Sequence, residues 1–129
     1  MKLKYQEELD KLENCPSTTL KGNIKLFRWI NKENYATSFI PLGNRFNGKL
    51  EEKCLAWGLS THNNIEVSKE VLNNLPQGFK KKFNGIATCV ISDEDGVKHQ
   101  SGNCINHFTF YPNQNFDYSS KFQILDDEN

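Results

Sequence analysis

The chain has 129 residues, of which 36% are hydrophobic and 25% are charged, and sixteen basic residues balance sixteen acidic ones. This composition is that of a globular protein and excludes a disordered chain, which would have few aromatic residues and a large net charge. A net charge of zero gives no overall field to attract nucleic acid or an anionic membrane. The length fits a single domain, 1–129.

The amino terminus and the cysteines predict a cytoplasmic protein. MKLKYQEELDKLEN carries charges throughout and lacks the apolar core of a signal peptide. No run approaches the roughly 20 apolar residues of a membrane span. In the cytoplasm Cys15, Cys54, Cys89 and Cys104 are expected to be reduced thiols. Their wide spacing forms no CxxC pair, so no zinc ribbon or redox motif is indicated and no cofactor is expected.

The first elements along the chain are a short helix and two strands. Apolar residues at helical spacing predict a helix over 3–13, and the Cys-Pro pair that follows ends the pattern. Alternation in NIKLFRWI predicts a strand over 23–30 near the middle of a sheet. A β-branched and aromatic run, ATSFIP, predicts a second strand over 36–41.

Two helices are predicted in the middle of the chain. Leu50, Cys54 and Trp57 fall at spacings of four and three, which predicts a helix over 49–57. The loop STHNN then offers candidate capping residues, and the periodicity of IEVSKEVLNNL predicts a helix over 65–75.

The carboxy-terminal third has the pattern of β-structure. Strands are predicted over 86–92, 97–100, 104–111 and 121–125, the first two joined by an Asp-Gly turn, and an acidic tail occupies 126–129. The pattern as a whole predicts an α+β fold, with one antiparallel or mixed sheet of about five strands and two or three helices packed against it.

The segment CINHFTFY places two kinds of side chain on opposite faces of one strand. Phe108 and Phe110 fall on one face and are expected in the core. His107, Thr109 and Tyr111 fall on the other face, which either lines a cleft or meets water. A catalytic interpretation of the chain therefore depends on His107.

A first catalytic hypothesis pairs Cys54 with His107. Cysteine hydrolases of the papain-like type place a thiol at a helix start and a histidine on a later strand, and the chain order here is the same. Asp117 or an asparagine would orient the imidazole. The predicted helix over 49–57, however, places Cys54 away from the helix N-terminus that lowers a thiol pKa. This enzyme is therefore the alternative function.

A metal site is a second hypothesis for the same region. His99, Cys104 and His107 lie close together in sequence, and Cys89 lies on the preceding predicted strand. Structural zinc sites, however, have tight paired spacings that are missing here. Cys104 and His107 also point to opposite faces of a regular strand, so no bound metal is expected.

Arg28 and Ser38 define a third function class. An arginine on one predicted strand, LFRWI, and a serine on the next, ATSFI, is similar to the opening of ADP-ribosyltransferase-like folds. In those folds the two residues hold a nicotinamide dinucleotide, so the resemblance implies a nucleotide-binding enzyme. Their catalytic glutamate on a late strand has no counterpart, because Asp117 is the only acid between Asp95 and the tail.

The leading prediction is a binding module that acts through protein–protein interaction. Arginine, tryptophan and tyrosine are the residue types that anchor interfaces. The predicted binding residues are Arg28, Trp29, Arg45, Trp57 and Tyr111. Abundant Lys and Asn indicate a low-GC genome, so we expect a bacterial or phage accessory protein, such as an inhibitor or immunity-type partner of a larger effector.

Overall fold

A computed structural model of the chain describes residues 1–17, 19–44 and 52–125. Within these residues the fold is α+β, as predicted, and its sheet has six strands in place of about five. The strands are β1 Ile24–Ile30, β2 Leu59–His62, β3 Gly85–Ile91, β4 Gly96–Gln100, β5 His107–Pro112 and β6 Gln123–Ile124. Their spatial order is β4-β5-β2-β1-β3-β6, and all neighbours are antiparallel.

The described residues form four α-helices, of which three are single turns. They are α1 Gln6–Asp10, α2 Ile65–Asn73, α3 Gln77–Lys80 and α4 Tyr118–Lys121. The longest, α2, starts as predicted because the Asn64 side chain accepts a hydrogen bond from the Val67 amide at 3.0 Å. The predicted helix over 3–13 is reduced to α1.

The predicted strand over 36–41 is wrong, because Ala36–Phe39 form a 3-10 helix. The Thr37 and Ser38 hydroxyls donate to the Asn34 carbonyl at 2.9 and 3.1 Å. Local side-chain hydrogen bonds of this kind compete with strand pairing. The predicted helix over 49–57 is a 3-10 helix at Cys54–Trp57, and its first residues, 49–51, lie outside the described part of the chain.

The most consequential difference is β2, which lies in a segment predicted as helix end and loop. Only four residues long, it pairs with β5 through Leu59 opposite Phe110 and Thr61 opposite Phe108. On its other side it pairs with β1. Pairing with two distant strands outweighs the local turn propensity of Ser and Asn, since strand formation depends strongly on context.

The two faces of the sheet carry separate clusters of buried side chains. Phe108 and Phe110 belong to the main core, as predicted. The main core consists of Leu26, Ile30, Phe39, Leu59, Ala87, Cys89, Ile91, Phe108, Phe110, Phe116 and Phe122. Tyr111, on the opposite face of β5, belongs to a second core with Leu3, Leu9 and Trp57. We call the face that carries the main core the phenylalanine face. We call the opposite face the histidine face, because His62, His99 and His107 lie on it.

Candidate functional site

Arg28 joins two chain segments at the place where β1 and β2 meet. These strands share one register pair, Phe27 opposite His62. One residue further along β1, Arg28 donates through Nη1 to the Ser60 carbonyl at 2.8 Å. Its Nε and Nη2 atoms donate to the Ser38 carbonyl at 2.9 and 2.7 Å. The planar guanidinium suits this geometry and ties the segment around Ser38 to β2.

A cavity of about 520 Å³ opens beside these contacts. Its walls are mostly apolar and include Trp29, Ile40, Pro41, Leu75 and Phe83. Leu42, Leu55 and Phe79 also line it, although they are 51%, 48% and 57% exposed. We call these three residues the rim. Single exposed apolar side chains are ordinary on a protein surface, but a cluster around a concave apolar site is typical of a binding site.

The charged side chains that line the described part of the cavity are both basic, Arg28 and Lys82. Lys82 Nζ lies 5.2 Å from the centroid of the Phe79 ring, within the range of a cation–π contact. The cavity therefore combines apolar walls with positive charge at its edge. That combination favours a ligand group that is apolar and lies next to an anion.

Ser60, which lines the cavity from β2, belongs to a chain of polar groups that includes two residues of β5 and Ser101, the residue after β4. Ser60 Oγ lies 2.5 Å from His107 Nε2. On the other side of the imidazole, His107 Nδ1 lies 3.0 Å from Ser101 Oγ and 3.2 Å from the Ser101 carbonyl oxygen. Ser101 Oγ in turn lies 2.7 Å from Thr109 Oγ1. We call these four residues the hydroxyl–histidine chain.

The contacts of His107 fix which ring nitrogen carries the proton. A carbonyl oxygen only accepts hydrogen bonds, so Nδ1 donates to Ser101 and Nε2 is left as the acceptor for the Ser60 hydroxyl. Burial lowers the pKa of His107, an effect only partly opposed by its bond to the Ser101 carbonyl. Burial, and secondarily the neighbouring His107, lowers the pKa of His62 to about 4. Both imidazoles are therefore neutral near pH 7.

Close backbone packing positions Ser60. Gly58, two residues earlier on the same face, lies so near Thr109 and Tyr111 that a Cβ at this position would overlap both side chains. Glycine therefore allows the chain to enter β2 directly against β5. Ser60 itself remains exposed, whereas the flanking Leu59 is buried. The hydroxyl is thus both accessible and held next to His107.

The structure separates the predicted binding residues into two groups. Arg28 and Trp29 line the cavity. Trp57 and Tyr111 are 6% and 1% exposed and pack in the second core, so they are unavailable as interface anchors. Arg45 lies outside the described residues.

Cys54 and His107 have different neighbours. Cys54 Sγ is bonded to Cys15 Sγ and lies 3.3 Å from Tyr111 Oη, whereas the His107 nitrogens contact serines. The prediction of reduced thiols is therefore wrong for Cys15 and Cys54, and the thiol that the cysteine-hydrolase hypothesis requires is held in a disulfide. Asp117, proposed to orient the imidazole, instead caps α4.

The residues of the metal hypothesis are also dispersed. Among the described residues, no group of three or more His, Cys, Asp or Glu side chains is arranged to hold a metal ion. Cys89 packs in the main core, where burial raises its pKa to about 11 and disfavours a thiolate ligand. The His99 ring packs edge-on against Tyr111.

Arg28 and Ser38 do meet, but in a structural contact. Arg28 bonds to the Ser38 backbone carbonyl, and Ser38 lies on a 3-10 helix and not on a second strand. The Ser38 hydroxyl accepts from the Asn31 amide at 2.9 Å. The arrangement on neighbouring strands that suggested an ADP-ribosyltransferase-like enzyme is therefore not formed.

Ser60, Ser101 and the rim escaped the sequence analysis. The LSTH segment lies after Gly58 and contains turn-forming residues, so it does not stand out as a strand. Its only signal was the alternation of Leu59 and Thr61 with Ser60, which is too short to interpret alone. Ser101 and Phe79 lie between the predicted helices and strands, where no periodicity marks them.

No protein-family model, curated protein or solved structure matches this chain. In the described part of the chain, no helix has both the length and the apolar character needed to cross a membrane.

Proposed function

We propose that this protein is a binding module that acts through protein–protein interaction and receives an apolar side chain of its partner in the cavity beside Arg28. The observation that carries the proposal is the rim: Leu42, Leu55 and Phe79 are about half exposed around an apolar cavity of about 520 Å³. A volume of this size accommodates an aromatic or large aliphatic side chain together with part of its backbone.

Charge specifies the partner further. Lys82 lines the cavity, and its Nζ lies 5.2 Å from the centroid of the Phe79 ring. An Asp or Glu beside the inserted side chain would find complementary charge there, which sets orientation and specificity more than affinity. The proposed ligand is therefore a segment of a partner protein with a large apolar residue next to a carboxylate.

A module of this kind would serve as an accessory, inhibitor or immunity-type partner of a larger effector protein. In such complexes a few anchor residues provide most of the binding energy. The rim and Trp29 are the anchors on this side of the interface, and Trp57 and Tyr111 stabilise the fold behind them.

A displayed library of random peptides, selected on the immobilised protein, tests the proposal. Enriched peptides are expected to pair a large apolar residue with Asp or Glu. Binding of a synthetic enriched peptide should change the fluorescence of Trp29, because its indole lies in the cavity wall. Trp29→Phe identifies the part of the signal that comes from this residue. Enrichment of peptides that lack this pairing, or no enrichment, would contradict the proposal.

Two matched variants show whether the rim makes the contact. Phe79 and Val90 are 57% and 55% exposed, but only Phe79 lies at the cavity. Phe79→Ser should weaken peptide binding at least about tenfold, which corresponds to about 1.4 kcal/mol of lost apolar burial. Val90→Ser should leave the Kd within about twofold. Equal effects of the two substitutions would place the peptide elsewhere.

A further inference from the structure

The hydroxyl–histidine chain has the parts of an activated serine. Nucleophilic catalysis by serine needs a base within hydrogen-bond reach and a third group that orients the base. Ser60 Oγ lies 2.5 Å from His107 Nε2, and Ser101 holds Nδ1 on the opposite side of the ring. Within the described residues, serines occupy both ring nitrogens, so the arrangement is Ser–His–Ser with no carboxylate.

The protonation state suits a base. The Ser101 carbonyl selects the tautomer in which Nε2 accepts, and burial keeps His107 neutral near pH 7. The same-face titratable groups on the neighbouring strands are His62 on β2 and His99 on β4, whose pKa values burial also lowers. Arg28 on β1 is the nearby fixed charge, and its Nη1 donates to the Ser60 carbonyl and not to the hydroxyl.

Ser60 is accessible to a ligand in the cavity. It is exposed and lines the cavity, while His107 lies behind it, partly buried. An acyl group held by the apolar walls would therefore have its carbonyl carbon within reach of Ser60 Oγ. Proximity of this kind contributes strongly to acyl-transfer rates.

We propose that Ser60 is a catalytic nucleophile for acyl transfer, with His107 as its general base and Ser101 as the positioning residue, acting on esters whose apolar acyl group occupies the cavity. This activity goes beyond partner binding: it shares the cavity walls with the proposed peptide interaction and adds Ser60, His107 and Ser101 as the reacting and positioning groups. Loss of it would leave the peptide interaction of the rim in place, so the two proposals fail separately.

The chemistry balances with water as the only co-reactant. Ser60 Oγ forms a bond to the acyl carbon while its proton passes to His107 Nε2. The bond from the acyl carbon to the leaving alcohol breaks, and the proton on Nε2 passes to the alcohol oxygen. Water then transfers a proton to His107 and its oxygen to the acyl carbon. The Ser60–acyl bond breaks, Ser60 regains the proton and the carboxylic acid leaves.

Covalent labelling with an alkyl fluorophosphonate, followed by intact and peptide mass spectrometry, is the first test. The expected result is one phosphonyl group per chain, located on Ser60 and lost in Ser60→Ala. His107→Gln should slow labelling by at least about 100-fold, whereas Ser120→Ala, an exposed serine on α4, should label at the wild-type rate. Absence of an adduct, or an adduct elsewhere, would overturn the proposal.

The pH dependence of labelling of the unmodified protein provides a test that does not depend on a variant folding. Nε2 accepts a proton only in neutral His107, so the rate should rise with pH, reach half its maximum below pH 6.5 and be level from pH 7 to 9. An unassisted hydroxyl would react about tenfold faster per pH unit throughout this range. That steady increase would overturn the assignment of His107.

Hydrolysis of p-nitrophenyl butyrate tests the role of Ser101. Ser101→Ala should lower kcat at least about threefold with KM nearly unchanged, since it alters the orientation of His107 and not the cavity wall. A rise in KM with unchanged kcat would show that Ser101 affects substrate binding instead. Turnover of the ester by the Ser60→Ala variant would overturn the assignment of Ser60 as the nucleophile.

Discussion

The two faces of the sheet are stabilised by different means. On the phenylalanine face, side chains of Phe39, Phe110, Phe116 and Phe122 form aromatic contacts, such as the Phe110 and Phe116 rings at 5.2 Å. On the histidine face, directional hydrogen bonds and a disulfide hold smaller groups of side chains together. Apolar burial tolerates little change of volume, whereas the polar histidine face leaves Ser60 exposed.

The contrast separates a closed core face from a face that combines the second core and the disulfide with the exposed Ser60. The phenylalanine face is closed by Phe39, Phe116 and Phe122. The histidine face is covered near Trp29 by α2, through a bond from Trp29 Nε1 to the Ser68 carbonyl at 3.0 Å, and near Tyr111 by the second core. Ser60, on that same face, is exposed. Variants of closed-core residues and of exposed residues at the site should therefore separate loss of folding from loss of function.

Removal of a large side chain from the phenylalanine face should have the largest effect. Phe110 is 0% exposed, so Phe110→Ala should lower the free energy of unfolding by about 3–5 kcal/mol through lost burial and a residual cavity. Urea titration followed by circular dichroism measures this change. Phe79→Ala, with its ring 57% exposed, should change it by less than about 0.5 kcal/mol. Similar losses in both variants would refute the division between the faces.

Loss of the Cys15–Cys54 disulfide should have the next largest effect. The bond closes a loop of 39 residues beside the second core, and cross-links of this span contribute about 2–4 kcal/mol. Cys15→Ser/Cys54→Ser should lose that amount in urea titration. Hydrogen exchange should increase first in α1, whose Leu9 packs in the second core, and not in β3, whose Ala87 and Ile91 belong to the main core. Equal loss of protection in α1 and β3 would show that the two cores unfold as one unit.

The thiol count checks the same bond directly. Native protein denatured without reductant should react with iodoacetamide at two cysteines, Cys89 and Cys104, because the other two are paired. With reductant all four should react. Four reactive thiols without reductant would show that all four cysteines are reduced, as the sequence predicts.

Low pH should lower the free energy of unfolding through the buried histidines of the histidine face, by less than the loss of the disulfide does. Burial holds the pKa of His62 at about 4 in the folded protein, whereas the unfolded value is about 6.5. The unfolded chain therefore takes up a proton first, so stability is full above pH 6.5 and falls as the pH drops towards 4. We expect a loss of about 1–2 kcal/mol between pH 7 and pH 5, after allowance for solvent screening.

Substitution of His62 isolates this contribution. His62→Gln removes the titrating group, so urea titrations at pH 7 and pH 5 should differ by less than in the wild type. The remaining difference comes from His99 and His107, whose pKa values burial lowers in the same direction. An unchanged difference would mean that His62 does not contribute to the acid sensitivity.

The sequence predicted the phenylalanine face well because its signals are local. An alternating run identifies β1, an apolar run rich in β-branched residues identifies β3, and an Asp-Gly turn identifies the β3–β4 hairpin, in which Gly96 has a φ of 149°. The placement of Phe108 and Phe110 followed from alternation alone. Each of these inferences needs only a few neighbouring residues, and the structure confirms them.

The candidate site was not predictable in the same way, because it depends on pairing between distant segments. Ser60 meets His107 only because β2 pairs with β5, 47 residues later in the chain. The four-residue β2 carries almost no periodicity of its own. The strand pattern indicates His107, but the partner that the chain order predicts for it, Cys54, lies six residues before Ser60. The cavity likewise combines four separate segments, which no local pattern reveals.

The smallest predicted effect is that of removing the buried hydroxyl of Ser68 on α2, the helix that covers the histidine face near Trp29. Ser68 is 0% exposed, and its Oγ has no hydrogen-bond partner within the described residues. Trp29 bonds to its backbone carbonyl, so Ser68→Ala should change the unfolding free energy by less than about 0.5 kcal/mol or raise it, because an unpaired polar group is removed. Thr61→Val is the matched control, since its buried hydroxyl donates to the Phe108 carbonyl at 2.7 Å and its loss should cost about 1–2 kcal/mol. A larger loss of unfolding free energy for Ser68→Ala would show that this hydroxyl makes a hydrogen bond that stabilises the fold.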